Sequence, residues 1–391
     1  MHARRAATLL LPTALALSRA AAGEFGDSIR GLSPDELQRF GDGRAAFETV
    51  EDVADGLGPV FNGTSCAGCH RVGGTGGGSE MVETRFGTMT NGVFDPLVSL
   101  GGPLIQTDGI GRQGACTFVG EQVPSQATIV ARRRTTPLFG LGLVDAVPDA
   151  TLVTLAAKEA HEQPGTAGRL NMVTDITTGR AAVGKFGWKS QVPNLLQFSG
   201  DAYLNEMGIT TPLFPNENCP QGDCSLLACD PVSGVDDGDL GDVEHFRDFM
   251  SFLAPPSPPR TWYAGSYATY DGRRVFGQLG CPSCHVSSLT TGTSVVAALS
   301  LRPFRPYSDF LLHDMGSLGD GIEQGEATGR EMRTAPLWGL RLFTTYLHDG
   351  RATTIEDAIL AHDGQGRAAR DRFAFLPARQ KADLLSFLDM L

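Results

Sequence analysis

The sequence predicts a mainly α-helical protein made of two fused domains with one plan, the first enlarged by insertions. Three observations support this prediction. A C-x-x-C-H motif occurs twice, at residues 66–70 and 281–285, and further similar segments follow each motif in the same order. A proline-rich run at residues 254–259 separates the halves, because successive prolines cannot continue a helix and favour an extended linker. We therefore expect an internal duplication with domains at residues 23–255 and 256–391.

Each C-x-x-C-H motif is the pattern by which haem is attached covalently to c-type cytochromes. The two thiols can each add to a haem vinyl group, and the imidazole that follows becomes the proximal iron ligand. A disulfide or a thioredoxin-like redox pair is the alternative, but a histidine follows directly both times. The predicted haem-binding residues are Cys66, Cys69 and His70 in the first half and Cys281, Cys284 and His285 in the second.

Two longer segments recur between the halves. Residues 134–143 (RTTPLFGLGL) are similar to residues 333–342 (RTAPLWGLRL), and residues 248–253 (DFMSFL) are similar to residues 383–388 (DLLSFL). A phenylalanine, Phe61 or Phe276, also precedes each motif at the same spacing. These repeats predict two c-type cytochrome domains, and the greater length of the first is expected to lie in insertions.

Helix signals are clearest in two places. Ser33 and Glu36 form a capping box with Pro34 at the first helical position. Apolar residues between 243 and 253 have helical spacing.

A glycine-rich stretch at residues 73–78 lacks the Lys-Ser/Thr of a phosphate loop, so we expect a loop whose backbone approaches the haem rather than a nucleotide site.

The N-terminus has the features of a secretory signal peptide at residues 1–22. Arg4 and Arg5 precede an apolar stretch, and small residues allow cleavage after Ala22. An uncleaved anchor is the alternative, although the rest of the chain has no long apolar run. Export agrees with c-type haem, which is attached outside the cytoplasm, and predicts a periplasmic protein.

The chain is acidic, with a formal net charge of −12. Removal of the signal peptide, which has three arginines and no acidic residue, lowers this charge to −15. Such a charge argues against nucleic acid and favours a basic or locally basic partner with salt-sensitive docking. Solubility alone is the alternative explanation.

Four cysteines lie outside the haem motifs. In an oxidising compartment they predict two disulfides, with three pairings open. A zinc site is the alternative, although no histidine lies near them in sequence. These residues are Cys116, Cys219, Cys224 and Cys229.

At its C-terminal end the chain resembles a known class of haem enzyme. Residues 346–351 (YLHDGR) and 354–359 (TIEDAI) resemble the C-terminal haem domain of bacterial di-haem cytochrome c peroxidases. The closer resemblance is to the di-haem oxidoreductase family, and it covers nearly the whole mature chain. The segments that carry it are residues 63–70, 184–189, 205–210 and 307–316.

This resemblance implies an enzyme in which a small redox protein, a cytochrome c or a cupredoxin, reduces the C-terminal haem. Electrons then reach the N-terminal haem, which reduces hydrogen peroxide. Trp188 is the candidate relay between the haems, with plain packing as the alternative. The carbonyls of Thr334 and Pro336 resemble donors of an inter-domain Ca²⁺ site, a weaker signal.

The distal ligand of the second haem is predicted to be His362. A capping box of Thr353 and Glu356 opens the segment, and His362 falls on the apolar helix face that follows. The resemblance places the ligand eight residues after Thr354, which is also His362. Met315 is the alternative, because Met/His ligation of haem is common.

The first haem is predicted to be open on its distal side. If Trp188 corresponds to His348, then Ala202 corresponds to His362, and alanine cannot ligate iron. Glu206 lies one helical turn beyond Ala202 on the same face. The resemblance implies that Glu206 moves protons during peroxide reduction and that Gln197 assists it. His161 is the residue that could instead close this haem.

The sequence therefore predicts a periplasmic di-haem oxidoreductase of the peroxidase type. One alternative is a non-catalytic electron carrier with both irons six-coordinate. The other keeps the open haem but acts on oxygen, a thiol or another protein.

Overall fold

The computed structural model describes residues 25–257 and 267–391. The predicted signal peptide with its cleavage site after Ala22 and the second half of the proline-rich linker lie outside the described residues. In the part of the chain that the structure describes, no helix has the length and apolar character needed to cross a membrane.

Helices and short strands alternate along the chain. The helices are α1 (Pro34–Glu48), α2 (Cys66–Cys69), α3 (Leu141–Asp145), α4 (Asp149–Glu162), α5 (Leu195–Met207), α6 (Gly241–Phe252), α7 (Tyr267–Leu279), α8 (Ile355–Leu360), α9 (Arg367–Ala374) and α10 (Ala378–Asp389). The strands of the first domain are β1 (Val60–Phe61), β2 (Val82–Thr90), β3 (Val93–Asp95), β4 (Asp108–Gly109), β5 (Gly111–Gln113), β6 (Cys116–Phe118), β7 (Ile129–Arg134), β8 (Met172–Asp175) and β9 (Arg180–Val183). Those of the second are β10 (Leu289–Thr290), β11 (Pro303–Phe304), β12 (Leu312–Asp314) and β13 (Glu331–Arg333).

Most of the extra length of the first domain is irregular or β-structure. Strands β3, β2 and β7 form an antiparallel sheet, and the other strands pair as β1–β4, β5–β6 and β8–β9. The second domain has only the pairs β10–β11 and β12–β13 among its described residues. The mainly α-helical expectation therefore describes the helices that surround the haem motifs better than it describes the inserted segments.

Each half contains a helix pair that brackets its C-x-x-C-H motif. Helix α1 packs on α6, and α7 packs on α10. Both contacts are closest at a glycine, since a Cβ at Gly43 would lie 2.3 Å from the His245 carbonyl oxygen and one at Gly272 would lie 2.1 Å from that of Asp383. Only glycine allows the two backbones to approach this closely.

The ring contacts of the motif histidines align the two halves differently from the sequence repeats. The Phe47 ring lies 5.9 Å from the His70 ring, and the Phe276 ring lies 6.4 Å from the His285 ring. Phe47 in α1 is thus the counterpart of Phe276 in α7, whereas Phe61 lies in strand β1. Equating Phe61 with Phe276 was wrong, because the first half has an insertion between its helix and its motif.

The predicted signals of two helices are confirmed. The Ser33 hydroxyl accepts a hydrogen bond from the Glu36 amide, and the Glu36 carboxylate accepts one from the Ser33 amide at 2.7 Å. In α6, the apolar face is buried against α1, since Phe249 contacts both Phe40 and Phe47. This packing places the core of the first domain directly behind the first haem motif.

The four cysteines outside the motifs form two pairs. Cys116 is bonded to Cys229, and Cys219 is bonded to Cys224. The first bond joins strand β6 to the acidic loop before α6, and the second closes a short loop. The cysteines that remain free are those of the two haem motifs.

Thiol titration provides the test of this pairing. We expect the denatured, unreduced holoprotein to show no free thiol, because disulfides take up four cysteines and haem the other four. Digestion without reduction should give a peptide that joins Cys116 to Cys229. Free thiols in the holoprotein, or zinc bound in equal proportion to protein, would contradict this expectation.

Candidate haem sites

The first motif forms a single helical turn that presents its histidine to a cavity. The Ser65 hydroxyl caps α2 by accepting a hydrogen bond from the Gly68 amide at 3.1 Å. The Nδ1 of His70 donates to the Gly77 carbonyl at 3.0 Å, which orients the ring and makes Nε2 the nitrogen that would ligate iron. Burial lowers the pKa of His70 to about 4, which keeps the imidazole neutral as a metal ligand requires.

The glycine-rich segment at residues 73–78 lies against the first motif, and its predicted approach to the haem stays a prediction. It curls against the motif so that the Gly77 carbonyl reaches the His70 ring. A Cβ at Gly77 would lie 1.9 Å from the Val72 carbonyl oxygen, so a side chain there would push the loop away. The segment is therefore part of the haem site and orients the proximal histidine.

The second motif repeats this arrangement. The Nδ1 of His285 donates to the Tyr307 carbonyl at 2.9 Å, and burial lowers the pKa of His285 to about 4. Burial also raises the pKa of Cys281 to about 12, so this thiol is neutral. Two thiols one turn apart and a neutral, oriented imidazole are a donor set that fits a c-type haem at both places.

A cavity of about 220 Å³ lies against the first motif. Cys66, Cys69 and His70 line one side of it, with apolar side chains such as Phe246 and Met250 behind them. Ala202, Glu206 and Trp188 line the same cavity. The structure thus brings the predicted attachment residues together with Ala202 and Glu206, predicted on the distal side, and with Trp188, the predicted relay.

Two other sequence-predicted residues are elsewhere. Gln197 lies on α5 but does not line the cavity, and its side-chain oxygen accepts a hydrogen bond from the Ile176 amide at 3.0 Å. His161 is exposed in the last turn of α4 and does not line the cavity either. Among the described residues that line this cavity, His70 is the one histidine.

Glu206 is held firmly at the cavity wall. The amide nitrogen of Asn62 donates to the Glu206 backbone carbonyl at 2.7 Å, and the Asn62 side chain donates to the Glu206 carboxylate at 3.1 Å. Burial raises the pKa of Glu206, and the negative charge of Glu83 raises it further. The carboxyl group is thus biased towards its protonated form.

Sequence reasoning missed a group of charged residues that line the same cavity. Glu83, Arg85 and Arg133 line the cavity from strands β2 and β7. Glu83 and Arg85 are separated by one residue, so a strand presents both on one face. That alternation was the available signal. Nothing in the sequence indicated that this strand, more than a hundred residues before α5, would line the same cavity as α5.

His362 lies just beyond the end of a helix rather than on its face. Helix α8 begins after Thr354, whose hydroxyl accepts a hydrogen bond from the Asp357 amide at 3.0 Å, so the predicted cap of Thr353 and Glu356 was wrong by one residue. The helix ends at Leu360, and the His362 Nδ1 donates to the Ala358 carbonyl at 2.8 Å.

The surroundings of His362 agree with the predicted ligand position. Burial lowers its pKa, and it lies close enough to His285 for the two rings to influence each other electrostatically. Met315 precedes a turn at residues 316–318 that packs on residues 364–366, so the alternative ligand belongs to the same part of the domain.

Reciprocal backbone hydrogen bonds join the two halves of the chain. The Arg134 amide donates to the His348 carbonyl at 2.7 Å, and the Arg333 amide donates to the Trp188 carbonyl at 2.9 Å. Arg134 and Arg333 begin the repeated segments, so the same bond occurs once in each direction. The pattern agrees with the alignment of Trp188 with His348, on which the correspondence of Ala202 with His362 depends.

Trp188 lies at this interface and at the first cavity together. Its indole nitrogen donates to the Arg134 carbonyl at 3.0 Å, and its ring lies edge-on to that of His348 at 6.2 Å.

The carbonyl of Thr334, a predicted Ca²⁺ donor, accepts a hydrogen bond from the Ser308 hydroxyl at 2.7 Å. Calcium at Thr334 and Pro336 stays a prediction.

Residues 117–391 match the family described as "Di-haem oxidoreductase, putative peroxidase". This match covers well over half of the chain, so the protein belongs to that family and is an oxidoreductase. Membership of a di-haem family implies two haems, in agreement with the two sites described above. No curated protein sequence matches the chain significantly.

Several solved structures show distant similarity. The di-haem peroxidase BthA from Burkholderia thailandensis E264 is 15% identical, with a TM-score of 0.42, over 92% of this chain and 86% of that one. A MauG-like protein associated with microbial copper homeostasis is 16% identical, with a TM-score of 0.39, over 92% and 90%. Hydrazine synthase from Kuenenia stuttgartiensis is 13% identical, with a TM-score of 0.40, over the whole of both chains.

Proposed function

We propose that this oxidoreductase reduces hydrogen peroxide in the first cavity, in the periplasm, with electrons that enter through the second haem site. The observation that carries the proposal is the composition of the first cavity. His70 stands on one side, Ala202 occupies the position that corresponds to a ligand, and Glu206 lies one turn further along the same helix. The haem, when bound, would supply an iron that can take the oxidant on its free face and exchange electrons.

Each residue of the first cavity has a defined part in this proposal. Ala202 leaves room for the oxidant where histidine would exclude it. Glu206 holds a proton that the departing oxygen needs, and Asn62 fixes the direction of that carboxyl group. The apolar residues behind the motif keep water away from the reacting oxygens, which strengthens the effect of each charge.

The second site is proposed to accept electrons and to remain closed. His285 and His362 would ligate the iron from both sides, which leaves no position for peroxide. Trp188 is proposed as the relay to the first site, because it lines the first cavity and also contacts His348 of the second domain.

The two halves of the chain differ in net charge, and this difference affects which electron-donor protein can dock. Residues 23–255 carry 30 acidic and 15 basic side chains, whereas residues 256–391 carry 14 of each. The excess negative charge thus belongs to the domain that would reduce peroxide, and the domain that would receive electrons is neutral. We propose a small cytochrome c or cupredoxin as donor, with docking at the second domain that depends less on salt than the total charge indicates.

The direct test is a peroxide-turnover assay of the holoprotein with a panel of reduced donors, together with an absorption titration with cyanide. An open first haem should show high-spin bands and bind one cyanide per protein. A protein in which both irons are six-coordinate and refuse cyanide would contradict the proposal and favour the electron carrier. Cyanide binding without peroxide turnover would indicate a different oxidant.

The ligand of the second haem can be tested by substitution. We expect His362→Ala to convert one low-spin haem to a high-spin haem and to raise its reduction potential, because loss of an imidazole destabilises the ferric iron. Met315→Ala is the matched control and should leave the spectrum low-spin. The assignment is wrong if the two variants behave the other way round.

A further inference from the structure

Strand β2 aims two opposite charges into the first cavity. Glu83 and Arg85 alternate along the strand and so point to one face, while Phe86 points to the other and is fully buried in a small core of the insertion. In the antiparallel sheet, Arg133 of β7 stands directly opposite Glu83. The sheet register therefore fixes which charges face the cavity.

Arg85 holds Glu83 through two hydrogen bonds. Its Nε donates to one carboxylate oxygen at 2.7 Å, and its Nη2 donates to the other at 3.3 Å. The two side chains are 13% and 20% exposed, so water screens this pair only weakly. Arg133 pairs with Asp320, 2.7 Å away, and Lys189 shares that carboxylate, so Arg85 is the cation that bonds directly to Glu83.

Glu83 and Glu206 line the same cavity, and their carboxyl groups come close enough to interact directly. Two carboxyl groups in contact cannot both ionise without strong repulsion, so one proton is shared between them. Burial opposes ionisation of both groups, but the charges of Arg85 and then Arg133 lower the pKa of Glu83, whereas the pKa of Glu206 is raised. The shared proton therefore resides mainly on Glu206.

One more ionisable group lies beside this pair. Burial raises the pKa of Asp201 to about 6, and Arg85 partly counteracts that increase. Asp201 belongs to α5, one turn before Asn205 and on the wall that also carries Ala202 and Glu206. From the sheet, Arg133 and Arg134 of β7 line the same cavity.

On the basis of the proposed peroxide reduction, we infer that Glu83 and Glu206 act together as one acid–base pair, with Arg85 as the residue that positions Glu83. Sequence similarity pointed to Glu206 alone, whereas its contact with Glu83 adds a base next to the acid. A single carboxylic acid can give a proton but has nowhere to put the one that peroxide must lose. A pair that holds one proton can do both.

The proton balance of this step is closed. One oxygen of hydrogen peroxide gives its proton to the Glu83 carboxylate, and Glu206 gives its proton to the other oxygen. The O–O bond breaks, its electron pair leaves with the doubly protonated oxygen as water, and the carboxyl pair again holds one proton. Two electrons from the reduced donor protein and two protons from solvent convert the remaining oxygen to the second water.

The test uses pH profiles of the holoprotein with opposite charge changes. Glu83→Gln removes the proposed base together with its negative charge, so turnover should fall at every pH. Because the pKa of Glu206 should also be lower in this variant, the remaining turnover should be lost at a pH about one unit or more below that of the wild type. Arg85→Gln removes a positive charge and should raise the pKa of Glu206, so turnover should be lost at a higher pH than in the wild type. Arg85→Lys keeps the charge and should stay near the wild type. Arg132→Gln, which removes the same charge from the exposed side of β7, is the matched control.

Infrared spectroscopy gives a second measurement that does not depend on turnover. The wild type should show a protonated-carboxyl band that disappears in Glu206→Gln and titrates at lower pH in Glu83→Gln. Opposite shifts in the charge variants, with this band, support the pair. Equal profiles in all variants, or shifts in one direction only, overturn it. If the wild type shows no peroxide turnover, the proposed function fails, and the presence or absence of the band still decides whether the carboxyl pair exists.

Discussion

Glu206→Gln should remove most hydrogen peroxide turnover while both haems remain attached and their spectra stay near those of the wild type. Glutamine keeps the size of the side chain and can still pair with Asn62, but it cannot deliver a proton. Loss of a positioned proton donor typically lowers a rate by about 10²- to 10⁴-fold. Steady-state turnover at saturating donor, normalised to haem content, measures the effect.

Glu244→Gln is the isosteric control for this prediction. Glu244 lies on the solvent side of α6 with its side chain 56% exposed, so the variant should keep the activity of the wild type. Unchanged turnover in Glu206→Gln would contradict the peroxidase mechanism. A loss of attached haem in that variant would instead indicate that Glu206 stabilises the fold around the first motif.

Ala202→His should close the first haem site. The Ala202 side chain faces the cavity from the position that corresponds to His362, so an imidazole there would be directed at the iron. We expect a protein in which both haems are low-spin, cyanide no longer binds and peroxide turnover falls to background. Absorption spectra of the oxidised protein and a cyanide titration measure the change in ligation before any assay of activity.

Ala202→Leu is the control that separates iron ligation by the new histidine from the effect of a larger side chain at this position. Leucine fills a similar space but cannot donate to iron, so this variant should be less active while its first haem stays high-spin. If Ala202→His retains cyanide binding and turnover, the alignment of Ala202 with His362 is wrong. A low-spin leucine variant would show that another residue can reach the iron.

The features that sequence predicted well are those set by short spacings. The haem motifs determine which thiols and imidazole meet, and the capping box of Ser33 and Glu36 involves residues within one turn. Both depend only on local geometry, which a sequence states directly. Alignment of the halves also led to Ala202 and Glu206, because fourteen residues separate Trp188 from Ala202 just as they separate His348 from His362.

The features that sequence missed depend on contacts between distant segments. Glu83 and Arg85 face the cavity only because an inserted sheet folds over it, and their spacing gives no sign of that partner. Gln197 lies nine residues before Glu206, one fewer than the resemblance implies, and its side chain accepts a hydrogen bond from the Ile176 amide instead of lining the cavity. Phe61 matched Phe276 in spacing, whereas packing on the proximal histidine selected Phe47.

The reciprocal backbone bonds between the two halves affect how the sequence of such a protein can evolve. Both bonds join a backbone amide to a backbone carbonyl, at Arg134 and His348 and again at Arg333 and Trp188. Substitution of those side chains leaves the bonding atoms in place, so the spacing of the two iron sites is protected from most point mutations. Under the proposed function, each half can then acquire its own chemistry, one haem closed and one open to peroxide, while the distance between them is kept.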